Sequence, residues 1–183
     1  MTPTLTPQLT AGTWTIDPVH SDVSFSVRHM MVSKVRGRFA SVEGQIVAGD
    51  NLLDSSVNAT IDLSSIDTNN EQRDAHIRSA DFFEVESHPH MTYQSTAVRP
   101  DGDGYAIDGQ LSLHGVTKPV QLALELNGVT RDPYGKTRAG FSASTEINRK
   151  DFGIDINMPM DGGGVVVGDK IQITLEIEAV LQD

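Results

Sequence analysis

The sequence predicts an all-β protein, an antiparallel barrel or sandwich carrying a single short helix. The first observation is hydropathy alternation with period two in seven separate stretches. Val23, Phe25 and Val27 alternate with Ser24, Ser26 and Arg28, and Val57, Ala59 and Ile61 with Asn58, Thr60 and Asp62. The C-terminal stretch sets Ile171, Ile173, Leu175 and Ile177 against Gln172, Thr174, Glu176 and Glu178. A strand with this pattern has one wet and one dry face, and several such strands must bury their dry faces against each other. The second observation is the spacing of turn signals, which divides the chain into hairpins and favours an up-and-down meander. The third is composition: 38% hydrophobic residues but only 5% aromatic. That suffices for a core and supplies few bulky plugs for a barrel interior.

Taken in order, residues 1–11 are Thr- and Pro-rich and read as a loose N-terminal arm. Residues 12–183 read as one domain, without internal repeat or linker. A first strand is expected at 13–17, ended by Asp17-Pro18, and a second at 22–29. A long third strand is expected at 34–48, bent at Gly44, and a fourth at 55–62. Thr68 and Glu71 have capping-box spacing, which predicts a helix over 69–78 with Thr68 as N-cap and a further turn at 79–83. This helix is mostly polar, so it is expected to lie across a barrel end. Strands follow at 91–98 and 105–113, a corner at 114–119, then strands at 120–129, 136–147 and 169–181. Residues 148–164 read as irregular.

The 183 residues carry 14 Lys and Arg against 25 Asp and Glu, a formal net charge of −11. That balance argues against nucleic acid and anionic lipid surfaces as partners. No apolar run has the length of a membrane span, so no transmembrane segment is expected. Cysteine is absent, which excludes disulfides, thiol nucleophiles and cysteine metal sites. The N-terminus has no basic and apolar leader, so a cytoplasmic location, or a mature form after removal of a signal, is expected.

Motifs for chemistry are sparse. His88 and His90 flank Pro89 with no completing carboxylate pattern, so no metal site is expected. Serines, histidines and aspartates are plentiful, but no Gly-x-Ser-x-Gly elbow occurs. Asp161-Gly162-Gly163-Gly164 precedes a strand-like run rather than a helix, unlike a phosphate loop. Lys34, Arg36 and Arg38 share one strand face opposite Val35, Gly37 and Phe39, and read as a solvated outer surface. Arg73 and His76, on the helix, are the candidates for a polar group at a barrel mouth, with ion pairing of Arg73 to Asp67, Glu71 or Asp74 as the plainer reading. The inward strand residues Phe25, Val27, Val35, Phe39, Ile61 and Leu111 form a collective candidate, together with Leu113, Leu122, Leu124, Phe141 and Ile173. They line either a filled core or an apolar tunnel, and spacing leaves both open.

Five pieces in register resemble the YceI-like family of bacterial polyisoprenoid-binding proteins. They are the run from Trp14 through His20 to His29; the helix region from Thr68 through Arg73, Asp74, His76 and Asp81 to Phe83; Gly109 through His114-Gly115-Val116-Thr117-Lys118-Pro119 to Val120; Ile147 through Arg149 and Asp151 to Gly153; and Val167-Gly168-Asp169 with the strand that follows. The resemblance covers about residues 12–180. It implies a lipocalin-like eight-stranded antiparallel barrel with an apolar tunnel for an isoprenoid, quinone-like or other lipid-like chain. It also implies no catalysis, no cofactor beyond that ligand, often a homodimer, and in many relatives export to the periplasm. Phe82, Phe83 and Phe152 join the tunnel candidates on this ground, with Asp81-Phe82-Phe83 near the entrance. His20, Arg73, Asp74, His76 and Asp151 are alternatively corner-holding residues.

The expected function is non-enzymatic binding, transport or storage of such a ligand, with stress response and quinone handling among the conceivable purposes. Two rivals remain: a barrel-based enzyme using His76 with Asp74 or Asp151, and an interaction module with a filled barrel.

Overall fold

The computed structural model describes residues 9–30, 32–155 and 167–183. Its strands are β1 (Gly12–Ile16), β2 (Asp22–His29), β3 (Ser33–Phe39), β4 (Val42–Ala48), β5 (Ser56–Asp62), β6 (Ile66–Asp67), β7 (His90–Asp101), β8 (Gly104–Leu113), β9 (Val116–Arg131), β10 (Thr137–Asn148) and β11 (Val167–Leu181). One α-helix, α1 (Glu71–Arg78), stands between β6 and β7. The strands pair in the order β1-β4-β5-β7-β8-β9-β10-β11, and β11 returns to β1. Every pairing is antiparallel, so the ring is a closed eight-stranded barrel.

The other three strands extend this ring. β11 is long enough to pair with β1 near its C-terminus, at Ile16↔Ala179, and with β2 before it, at Asp22↔Glu176. β1 and β2 are therefore one barrel strand interrupted at Asp17-Pro18. β3 and β4 form a second interrupted strand, and β5 and β6 a third, broken by a short 3₁₀ turn at Leu63–Ser65. At one end the ring is closed by β1 between β4 and β11. At the other, β11 continues through β2 and β3 to β6, and α1 lies against β6.

Several expectations are corrected. The single strand expected at 34–48 is two, because Ala40 and Ser41 turn out of the ladder and donate their backbone N–H groups to the Ser65 carbonyl and hydroxyl oxygens. Gly44, the expected bend, lies within β4, where a Cβ would strike the β5 backbone at Asn58. The corner expected at 114–119 is a two-residue turn, His114-Gly115, and β9 starts at Val116. Pro119 is tolerated inside β9 because β10 pairs β9 only as far as Ala123, leaving the proline on an unpaired edge. The N-cap of α1 is Asn70, whose side chain accepts from Arg73 N–H, and not Thr68. Thr68 is buried, and its N–H and hydroxyl both donate to the Asp74 carboxylate. Leu9, inside the span expected to be a loose arm, is buried against Trp14 and its neighbours. Residues 1–8, Met31 and the glycine run at 161–164 lie outside the described residues.

The core forms two clusters. One gathers Val23, Phe39, Ile61, Leu113, Ile147 and Phe152 through the middle and helix end. The other surrounds Trp14 at the closed end, where Ala48, Ala139 and Ala179 leave room for the indole. Trp14 is fully buried, and its Nε1–H donates to the Thr10 carbonyl at 3.0 Å.

Candidate functional site: a two-chambered apolar barrel interior

Because side chains alternate across each strand, the dry faces converge on the barrel axis. They leave two cavities there. The lower one, towards the closed end, measures about 130 Å³ and is lined by Ile61, Leu111, Leu122, Leu124, Phe141 and Ile173, with Tyr93, Ile107, Leu175 and Ile177. The upper one, under α1, measures about 200 Å³ and is lined by Phe25, Val27, Val35, Phe39, Leu113 and Ile173. Phe82 and Phe83 line it from the segment after α1, and Arg73, His76 and Ile77 from the helix itself. Val23, Met91 and Ile173 border both chambers, which therefore abut at that layer. Phe152, alone of the expected tunnel residues, lines neither; it is buried in the core cluster beside them.

The chambers differ in polarity. The lower one has no charged side chain in its wall. Tyr93 is its most polar large residue, and burial, with Asp108 nearby, pushes that phenol up to about 12. Its hydroxyl donates to the Val120 carbonyl at 2.8 Å, so it stays neutral and satisfied. Gly109 makes this possible, because a Cβ there would lie 2.4 Å from the tyrosine ring. The upper chamber is apolar in its depth and polar at its rim, where His29, Arg73 and His76 stand.

The rim is held by side-chain bonds. Arg73 Nε donates to the Thr68 hydroxyl at 2.8 Å and its Nη2 to the Thr68 carbonyl at 2.6 Å, in place of the ion pairs considered for it. Asp74 orders Thr68 from the other side, so a buried carboxylate positions the guanidinium through a threonine. His76 Nε2 lies 2.8 Å from Asp81 and its ring meets Phe82 edge-on at 5.1 Å. Of the two pairings the acid–base reading offered, His76 with Asp74 or with Asp151, the first is not formed: Asp74 is occupied by Thr68. His76 is 42% exposed while lining the chamber, so the interior reaches solvent beside it. Phe25 and Phe39, 5.6 Å apart, and Phe39 and Phe83, 6.1 Å apart, run as an aromatic row inward from this rim.

Other residues singled out from the sequence hold corners. Lys34, Arg36 and Arg38 are exposed on the outer face of β3. His20 lies 2.7 Å from Asp17. Arg138 Nη1 donates to Asp17 at 2.9 Å and to Glu178 at 3.0 Å, clasping the β1–β2 interruption to β10 and β11. Burial opposes ionisation of Asp17, but hydrogen bonds from His20 and Arg138 outweigh it and lower its carboxyl to about 2. Arg149 is buried and donates to the carbonyls of Gly168 at 2.9 Å and Ile154 at 2.8 Å, tying the turn after β10 to the start of β11.

The lining residues missed by sequence reading fall into two groups. Leu175 and Ile177 sit in the same alternation as Ile173 and were legible. Met91 and Ile77 were not, because their inward direction depends on how the ends of β7 and α1 are placed. Among the described residues no helix is long and apolar enough to cross a membrane.

A family model of the YceI-like domain matches residues 14–179. Protein YceI of an Escherichia coli O17:K52:H18 strain is 39% identical over 164 residues, covering 89% of this chain and 83% of that protein. Among solved structures, BcnA of Burkholderia cenocepacia matches with a TM-score of 0.75 at 22% identity, over 89% of this chain and 98% of that one. A polyisoprenoid binding domain from Saccharophagus degradans, implicated in plant cell wall breakdown, matches at 0.69 and 16% identity, over 92% of this chain and 98% of that one. At those identities the two structures show a common fold.

Proposed function

The chain belongs to the YceI-like family, and on that premise we propose that it binds a long apolar molecule of the isoprenoid or other lipid-like class, without catalysis, along the barrel axis. The observation that carries this reading is the pair of abutting chambers. The charge-free lower chamber alone, about 130 Å³, forgoes on the order of 3 kcal/mol of packing when left unfilled. Such a loss is offset when an apolar guest occupies the space. The charge-free lower chamber suits a hydrocarbon tail, and the Arg73–His76 rim suits a weakly polar head such as a quinone, phenol or amide. Each buried methylene contributes roughly 0.8 kcal/mol, so a prenyl chain needs few polar contacts to bind tightly.

A carrier or store follows from this reading, as does the family expectation of a homodimer, which light scattering in solution tests. Native mass spectrometry of freshly purified protein, followed by organic extraction, tests the ligand reading. A co-purified apolar molecule released by extraction is expected. Protein that yields none, and that also fails to bind an added prenyl lipid, contradicts it.

A further inference from the structure

We propose that Glu84, His88 and His114 form a site for one zinc-class divalent cation, outside the barrel interior, where the segment after α1 meets the β8–β9 turn. The three side chains are half-buried, and each brings a ligand atom within 4.8 Å of the other two. His114 Nε2 lies 3.7 Å from the Glu84 carboxylate. The His88 and His114 rings are 5.2 Å apart, edge to face. Two imidazoles and a carboxylate with a fourth position left for water is a donor set suited to zinc and its neighbours, and unsuited to magnesium or calcium.

The state of His114 is the strongest indication. Its Nδ1–H donates to the Phe152 carbonyl at 3.1 Å. In the neutral ring this leaves Nε2 as a lone pair. Nε2 is buried and has no hydrogen-bond partner. Its near neighbour is a carboxylate, which offers no proton to satisfy it. A backbone carbonyl fixing one ring nitrogen so that the other faces a metal is the usual support of a ligating histidine.

The backbone is bent to bring these groups together. Glu84 and His88 stand one turn apart, joined by the His88 N–H bond to the Glu84 carbonyl at 2.9 Å. Glu84 has φ of 51° and His114 φ of 56°, a left-handed conformation that costs energy in residues other than glycine. His114 opens a two-residue hairpin turn, a position that asparagine or aspartate fills at lower cost. Gly115 follows, where a Cβ would lie 2.8 Å from the His88 ring. The second cluster of potential ligands, Asp17, His20 and Glu178, has the Arg138 guanidinium bonded to both of its carboxylates and leaves no place for a cation. A cation at the first cluster would fasten the segment bearing Phe82 and Phe83 to the turn that follows Leu113, and so brace the upper chamber.

The test is calorimetric titration of Zn²⁺ into the full-length, tag-free, chelator-treated protein, checked by competition with a chromophoric chelator. One zinc per chain is expected, with no binding of Mg²⁺. Glu84→Gln and His88→Ala are each expected to weaken zinc binding at least about tenfold, with circular dichroism confirming that both variants fold. These two carry the test because His114→Ala removes a packed ring. His20→Ala, in the other cluster, is expected to leave zinc affinity unchanged. X-ray absorption of the zinc-loaded protein is expected to show two imidazoles at about 2.0–2.1 Å. Absence of zinc binding, as a plain His114–Glu84 ion pair would give, overturns the proposal. So does zinc binding that survives either Glu84→Gln or His88→Ala unweakened, or that is lost in His20→Ala.

Discussion

The two ends of the barrel obey different rules. The closed end is where the sheet meets itself, β1 pairing with β4 on one side and with β11 on the other. Its chamber wall contains no charged side chain. The helix end is built from broken strands, and its shape rests on individual polar contacts: Asp74 to Thr68, Thr68 to Arg73, Arg149 to the carbonyls of Ile154 and Gly168. Apolar burial is non-directional and tolerates substitution, whereas a buried polar contact fails when one partner is lost. The closed end is therefore a container, and the helix end a frame that holds its opening.

The sharpest way to break this contrast is to fill the container. Leu122→Trp places an indole in the lower chamber, displacing room for roughly five methylenes at about 0.8 kcal/mol each. Affinity for a prenyl lipid is expected to fall about 1,000-fold while stability changes by less than ~1 kcal/mol. A tightly filled interior would instead lose roughly 1–3 kcal/mol of stability to overpacking. Urea denaturation and a lipid-binding assay on the same variant separate the two.

The next effect falls on the frame. Asp74→Ala leaves the Thr68 N–H and hydroxyl buried without an acceptor and frees Arg73. A loss of about 2–3 kcal/mol in unfolding free energy is expected, with earlier hydrogen exchange in α1 than in β10. An equal loss of protection in both would show that the ends are not separable.

A smaller effect concerns the clasp at the β1–β2 interruption. Asp17 is lowered from 3.8 to about 2 in the folded protein. The unfolded chain therefore binds the proton first as pH falls, so the clasp stabilises fully above pH ~4 and is lost as pH approaches ~2. Its contribution is about 1–2 kcal/mol. Denaturation at pH 5, 3 and 2 should show that loss, and Arg138→Ala should reduce it. The smallest effect is expected from His76→Ala: less than about 0.5 kcal/mol in stability, with a few-fold change in preference between quinone and alcohol head groups.

The same contrast explains how much of the molecule was legible in its sequence. Strands β2, β5, β8, β10 and β11 were, because a half-buried strand writes its period into the residues themselves. Phe25, Ile61, Leu111, Phe141 and Ile173 were assigned their inward face on that basis alone. The helix end was less legible. Thr68 is of a residue type that caps helices, and only its burial against Asp74 in the folded chain shows otherwise. The break at 40–41 carries no glycine or proline and arises from bonds to Ser65, which is distant in sequence. Pro119 read as a corner because the unpaired edge that accommodates it exists only in the assembled sheet. The spacing of His88 and His90 pointed to each other, while the partner of His88 across the fold is His114.

The two chambers abut at Val23, Met91 and Ile173, and a chain-length series of prenyl alcohols shows whether one ligand threads both. Calorimetric affinities measured for one, two, three and more isoprene units should rise with each added unit until the chain outgrows both chambers, and then level off. Leu122→Trp should move that plateau to shorter chains. Affinity independent of chain length, or no binding at any length, would contradict the account.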